Sequence, residues 1–187
     1  MLASRISVGT TLIGLAELLD GGGLVGGDAA EIDKGIRGTY RMSGKEIIFF
    51  SDESGDERVN ILPYVAGAIS YALMQGRQTI SGPFTGCTMA VYNSQGTTRV
   101  CHVDTAKTST GDAPSKTRWN AMKDAPGFEL AEELETNGMI GDFLDKASGN
   151  PSQFSTLCIL AVATPVQGIT HYYATRSKKD YVIVSSR

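Results

Sequence analysis

Cysteine, histidine and tryptophan are scarce in this 187-residue chain, which has three, two and one of them. Three cysteines are an odd number in a chain large enough to fold around its own core, so a disulfide framework is not expected. Cys87, Cys101 and Cys158 are not spaced as zinc ligands either, and neither a metal nor a cofactor is expected. No apolar run approaches the roughly 18 residues that a membrane span needs. Around Arg5, the apolar character of the first twenty residues is interrupted by Thr10, Thr11 and Glu17, so the expectation is a soluble chain without a signal peptide. Excess charge is lacking too: 17 basic and 20 acidic residues leave a net −3, which offers no field to draw in nucleic acid or an anionic membrane. Neither partner is expected.

What is present is enough apolar material, 41% of residues, for one continuous core. The expectation is a single domain over residues 1–187, acting as a monomer. "TTLIGLAELLDGGG" spaces Leu12, Leu15, Leu18 and Leu19 as a helix would and stops at glycine. The following "GGGLVGGDAAEIDKGIRG" lacks the Lys-Ser/Thr ending of a phosphate-binding loop and reads as a plain loop. "KEIIFFS" reads as a buried strand, and "NILPYVAGAISYALMQG" as a helix over 64–75. "TAKTSTGDAPSKTRW" reads as a long polar loop. "FELAEELETNGMIGDFLDKASG" reads as two short helices broken at Asn137-Gly138, its acidic first part being a solvated face with no function assigned. "TLCILAVAT", "GITHYYAT" and "DYVIVSS" form a three-strand meander. The expected class is α+β, a mixed, largely antiparallel β-sandwich core flanked by helices.

The chemistry centres on "FTGCTMAVYNSQGTTRVCHVDT", residues 84–105. A four-residue loop over 93–96 would face Tyr92 with Thr97 and set Cys87 directly opposite His102. Sulfur and imidazole could then share a proton, and an imidazolium there would favour the thiolate. Gly86 lets the backbone turn so that amides from Gly86 to Thr88 could face an oxyanion. Ser81 and Asp104 are the candidates to orient the imidazole. Cys101 points away from His102 on this pairing, and it and Cys158 are read as packing residues. His171 is read as structural or as a rim residue.

Thr85-Gly86-Cys87 followed by His102-Val103-Asp104 resembles the Cys/His signature of the bacterial toxin glutamine deamidases of the Burkholderia lethal factor and cytotoxic necrotizing factor type. In the lethal factor the same places read Ser-Gly-Cys and His-Ile-Asp. The Cys-to-His interval is more similar to that of the necrotizing factor. "THYYATRSKKDYVIVSS" is similar to the last hairpin of the lethal factor, and Ser81 occupies the place of its active-site Thr. Phe154 in "NPSQF" stands where the lethal factor carries a Tyr, which puts a hydroxyl contact there in question. The match covers the central hairpin and the C-terminal third, and nothing in the first 75 residues aligns.

The resemblance implies a protein-glutamine deamidase in which Cys87 is the nucleophile, His102 the base and Ser81 the orienting group, with Gly86 and Thr88 at the oxyanion turn and Asp104 and Phe154 in support. The substrate would be a host protein carrying a reactive Gln, a Rho-type GTPase or a translation-initiation helicase by the family's precedents. The toxin would be made in the bacterial cytoplasm and secreted or injected to act in the host cytosol. "TSTGDAPSKTRW" is the candidate recognition loop, with Trp119 read as core before anchor. The competing readings are a non-catalytic adaptor and a thiol protease or transglutaminase.

Overall fold

The computed structural model describes residues 1–20, 31–105, 113–146 and 156–186. Strands make up 52% of the described residues, and helices are few among them. The expected mixed, largely antiparallel sheet core is present, but the α+β sandwich flanked by helices is corrected: the fold is sheet-dominated, with a closed eight-stranded barrel and a second, five-stranded sheet. The glycine-rich segment 21–30, residues 106–112 and Phe154 lie outside the described residues.

The barrel is built from β1 (Thr11–Ile13), β3 (Ile36–Ser43), β4 (Glu46–Phe50), β5 (Glu57–Pro63), β7 (Thr79–Phe84), β11 (Leu157–Thr164), β12 (Gly168–Arg176) and β13 (Tyr181–Ser186). Its order is β1-β13-β12-β11-β7-β5-β3-β4, closed by parallel pairing of β1 with β4. The expected strand at 46–50 and the C-terminal meander are both present. β11 explains why "TLCILAVAT" is apolar without interruption, since all eight of its positions are buried. Cys158, Leu160 and Val162 point into the barrel core with Tyr40, Ile61 and Tyr181. Leu157, Ile159, Ala161 and Ala163 point outward into a second core. A strand buried on both faces needs apolar residues in both periods. Burying each large aliphatic side chain contributes about 1.5–3 kcal/mol.

That second core is closed by the other sheet, ordered β10 (Phe128–Glu135), β8 (Thr88–Ser94), β9 (Thr97–Val103), β6 (Ile69–Leu73) and β2 (Glu31–Asp33). Met89, Val91 and Val100 face the barrel. Ala90, Tyr92, Cys101 and Val103 face the other way, under α2 (Pro114–Lys123), whose Trp119 is 2% exposed against Tyr92 and Phe128. Trp119 is therefore a core residue, and Cys101 and Cys158 are buried packing residues as expected.

Four expected elements differ. Residues 64–75 hold β6 rather than a helix: the small and apolar side chains fit either period, and pairing with β9 and β2 decides for the strand. Residues 128–135 form β10 rather than a helix, because pairing with β8 overrides the helix preference of Glu and Leu. Helix α3 (Met139–Lys146) does follow the break at Asn137-Gly138. The first helix is shortened to α1 (Leu15–Leu19), since Thr11–Ile13 join the barrel and Gly14, at φ 74°, turns the chain in a conformation open mainly to glycine. The polar stretch ending at Trp119 is helical from Pro114, which sits at the first turn where a missing N–H costs nothing.

Candidate active site

The β8–β9 hairpin turns on two residues, not four. Ser94 pairs with Thr97, and Gln95 and Gly96 take φ 52° and 76°, the paired left-handed conformations of a tight hairpin whose twist matches the strands. The register therefore differs from expectation by an extra residue pair: His102 lies opposite Met89, and Cys87 stands one step beyond the Thr88–Val103 pair, beside Asp104. Because the shift is even, Cys87 and His102 keep a common face, but as diagonal neighbours rather than opposed ones.

His102 is 1% exposed and held on several sides. Ser81 comes from β7, the barrel strand beneath the hairpin. Its Oγ donates to the Leu62 carbonyl at 2.7 Å and lies 3.1 Å from His102 Nδ1. A hydroxyl has one proton, and a carbonyl can only accept. Ser81 must therefore accept from Nδ1–H, which leaves the lone pair on Nε2. Nε2 is buried with no hydrogen-bond partner among the described residues. The Phe84 ring stacks on the imidazole at 4.0 Å, and the Tyr64 ring lies at 5.1 Å. Phe84 reaches this position because β7 carries an irregularity against β11, one extra residue between the Ser81–Ala161 and Phe84–Ile159 pairs, and this re-aims its side chain.

Cys87 is half-buried and lines a cleft of about 540 Å³, together with Tyr64, Gly86, Thr88 and Asp104 on one side and Trp119, Asn120 and Glu135 on the other. Its backbone is fixed: the Thr136 amide and hydroxyl donate to the Cys87 carbonyl at 3.2 and 2.7 Å, and the Thr105 hydroxyl donates to the Gly86 carbonyl. The amides of Gly86 and Cys87 have no acceptor among the described residues, so two donors remain available beside the sulfur. Thr88, 5% exposed, begins β8.

The protonation pattern corrects the expected thiolate–imidazolium pair. Burial pushes the Cys87 thiol up to about 11; the Thr105 backbone N–H opposes this, and the Asp104 charge adds a smaller push in the same direction as burial. Burial alone pushes His102 down to about 3. At neutral pH the two groups are an uncharged thiol and an uncharged imidazole. Besides the Thr105 backbone N–H, Cys87 Sγ meets Asp104 Oδ1 at 4.0 Å, the outer limit of a sulfur contact. Asp104 Oδ2 also accepts from the Gly67 amide at 2.7 Å, so this carboxylate serves the Cys87 side and the 67 turn. It does not orient the imidazole; Ser81 does, through its hydroxyl. Tyr64, Phe84, Thr105 and Thr136 carry no motif that would mark them, and tertiary contact alone brings them to the site. Each lies near Cys87 or His102 through a strand crossing or loop return. His171 lies at β12, edge-on to Tyr173, away from the cleft lining.

No protein-family model matches the chain, and no curated protein matches it.

Proposed function

We propose that the protein is a glutamine deamidase that hydrolyses the side-chain carboxamide of a Gln on another protein. The observation that carries this reading is the Ser81–His102 contact: it comes from the residue six places before Cys87, and it fixes the tautomer whose free Nε2 can take a proton. In the resting protein the thiol is protonated, so attack is coupled to proton removal. His102 Nε2 accepts the Cys87 S–H proton as sulfur bonds to the carboxamide carbon, and the carbonyl electrons move onto oxygen. The amides of Gly86 and Cys87 are the donors for that oxyanion. The oxyanion collapses, the C–N bond breaks, and ammonia leaves with the proton returned by His102. Water, deprotonated by the same nitrogen, then cleaves the thioester to yield Glu and the free thiol. A bound substrate must draw the diagonal Cys87 and His102 together for the first transfer, as catalytic contacts commonly tighten on binding.

On this reading the protein is a bacterial toxin or effector, made in the bacterial cytoplasm, released by injection or lysis, and acting in the host cytosol. Its substrate is a Rho-type GTPase or translation-initiation helicase, where one Gln positions water or phosphate and conversion to Glu adds a charge. The test is to incubate the protein and a Cys87→Ser variant with eukaryotic lysate and to map Gln sites that gain about one dalton, the change when an amide becomes an acid. Sites converted by the native protein alone are expected; identical maps refute the deamidase. Ammonia release without chain cleavage or amine incorporation separates it from a thiol protease or transglutaminase. The raised Cys87 thiol favours the non-catalytic adaptor as second reading, which requires no ammonia release from any substrate.

A further inference from the structure

We propose that the groove beside the cleft receives a glutamate of the substrate protein that lies within a few residues of the target Gln, an inference that rests on the deamidase reading. The groove, of about 460 Å³, crosses the ends of β7, β11 and β12 and is lined by Pro83, Thr85, Leu157, Cys158, Arg176 and Lys178. Pro83 and Thr85 also line the Cys87 cleft, so this short segment is a wall common to both. A chain laid over Thr85 meets the cleft on one side and the groove on the other.

The charges decide what each receives. In the turn after β12, Lys179 pairs with Glu17 at 2.9 Å, and Asp180 Oδ1 accepts from the Gly14 amide at 3.0 Å. Arg176 and Lys178 are exposed and have no carboxylate partner among the described residues. Two such cations above a floor of Leu157 and Cys158 suit a side chain with an apolar stem and an anionic head, and the guanidinium can hold a carboxylate through two hydrogen bonds. The cleft has the opposite balance, with Asp104, Glu133 and Glu135 against Lys116 and Lys123. With Glu133 paired to Lys123 at 3.3 Å, the remaining balance favours a neutral carboxamide there over a carboxylate. The newly made Glu would therefore face Asp104 across the cleft, which favours its release, while the neighbouring glutamate stays bound at the groove.

The test uses short fluorescent peptides with one central Gln and either Glu or Lys placed two residues to each side. Anisotropy on Cys87→Ser protein measures binding without turnover, and ammonia release by the native protein measures kcat/KM. The Glu peptide is expected to bind roughly tenfold more tightly than the Lys peptide at low salt, an advantage that added salt screens. Reversing both charges, Arg176→Glu with Lys178→Glu, is expected to invert the preference. Both side chains are exposed, and circular dichroism verifies that the doubly reversed protein keeps its fold. Equal binding of the two peptides, or a preference that survives the double reversal, overturns the groove proposal, and ammonia released equally from both then leaves the deamidase standing. A preference that follows residues 176 and 178 upholds the groove, and identical Gln maps from native and Cys87→Ser protein in lysate would then overturn the deamidase alone.

Discussion

Replacing Ser81 by alanine tests the tautomer directly. Its hydroxyl is fully buried and joins two groups that have no access to water, the Leu62 carbonyl at 2.7 Å and His102 Nδ1 at 3.1 Å. Alanine leaves Nδ1–H without an acceptor, and an orphaned buried donor costs about 1–3 kcal/mol. Without the Ser81 acceptor nothing holds the proton on Nδ1, and because Nε2 is equally buried and unpartnered among the described residues, either a shift of the proton to Nε2 or a rotation of the ring removes the base. Loss of a positioned general base lowers turnover by about 10²- to 10⁴-fold. Ser81→Ala is therefore expected to lower stability by about 2 kcal/mol in urea melts. It should also reduce ammonia release at least a hundredfold, mainly in kcat, because a substrate carboxamide does not touch Ser81. Ser81→Thr keeps the hydroxyl and should recover activity well above alanine, less what the added methyl costs in a full core. Nitrogen-15 spectra of the imidazole provide a readout independent of activity: the native protein should carry its proton on Nδ1. A native Nε2–H tautomer, or an alanine variant that retains native kcat while folded, would refute the reasoning.

Three further outcomes follow from the same geometry. Iodoacetamide should label Cys87 slowly at neutral pH, with a rate rising towards pH 11 rather than levelling off near pH 8. Asp104→Asn should speed labelling by removing a charge that raises the thiol, and mass spectrometry of the labelled peptide measures both effects. His102 has a folded pKa of about 3 against 6.5 unfolded. Below pH 6.5 the unfolded chain therefore binds a proton that the native state refuses, so His102's contribution to stability is complete above pH 6.5 and is lost as pH falls towards 3. Urea midpoints between pH 7 and pH 4 should fall steeply in the native protein and less so in His102→Asn. Trp119 is 2% exposed and its Nε1 donates to Glu133 at 2.6 Å, so Trp119→Ala should cost about 3–5 kcal/mol of stability; a loss below about 1 kcal/mol in a denaturant melt would contradict its placement in the core.

The sequence alone settled those features that depend on local periodicity and turn chemistry. "KEIIFFS" and the three C-terminal runs are strands because alternation and apolar continuity leave no other way to bury them, and the break at Asn137-Gly138 separates two elements as its residues require. The common face of Cys87 and His102 was also legible, because strand period is two and the expected four-residue loop and the actual two-residue loop differ by an even count. Tertiary structure alone decided whether "FELAEELE" and "AGAISYAL" became helix or strand. Their side chains fit both periods, and only the partners β8 and β9 favour one. It also decided closure of the barrel, which depends on parallel pairing of Thr11–Ile13 with residues 46–48, far along the chain. The protonation of the site was likewise beyond the sequence: how much water is removed from a thiol or an imidazole is set by what packs over it, here Phe84, Tyr64 and the barrel wall.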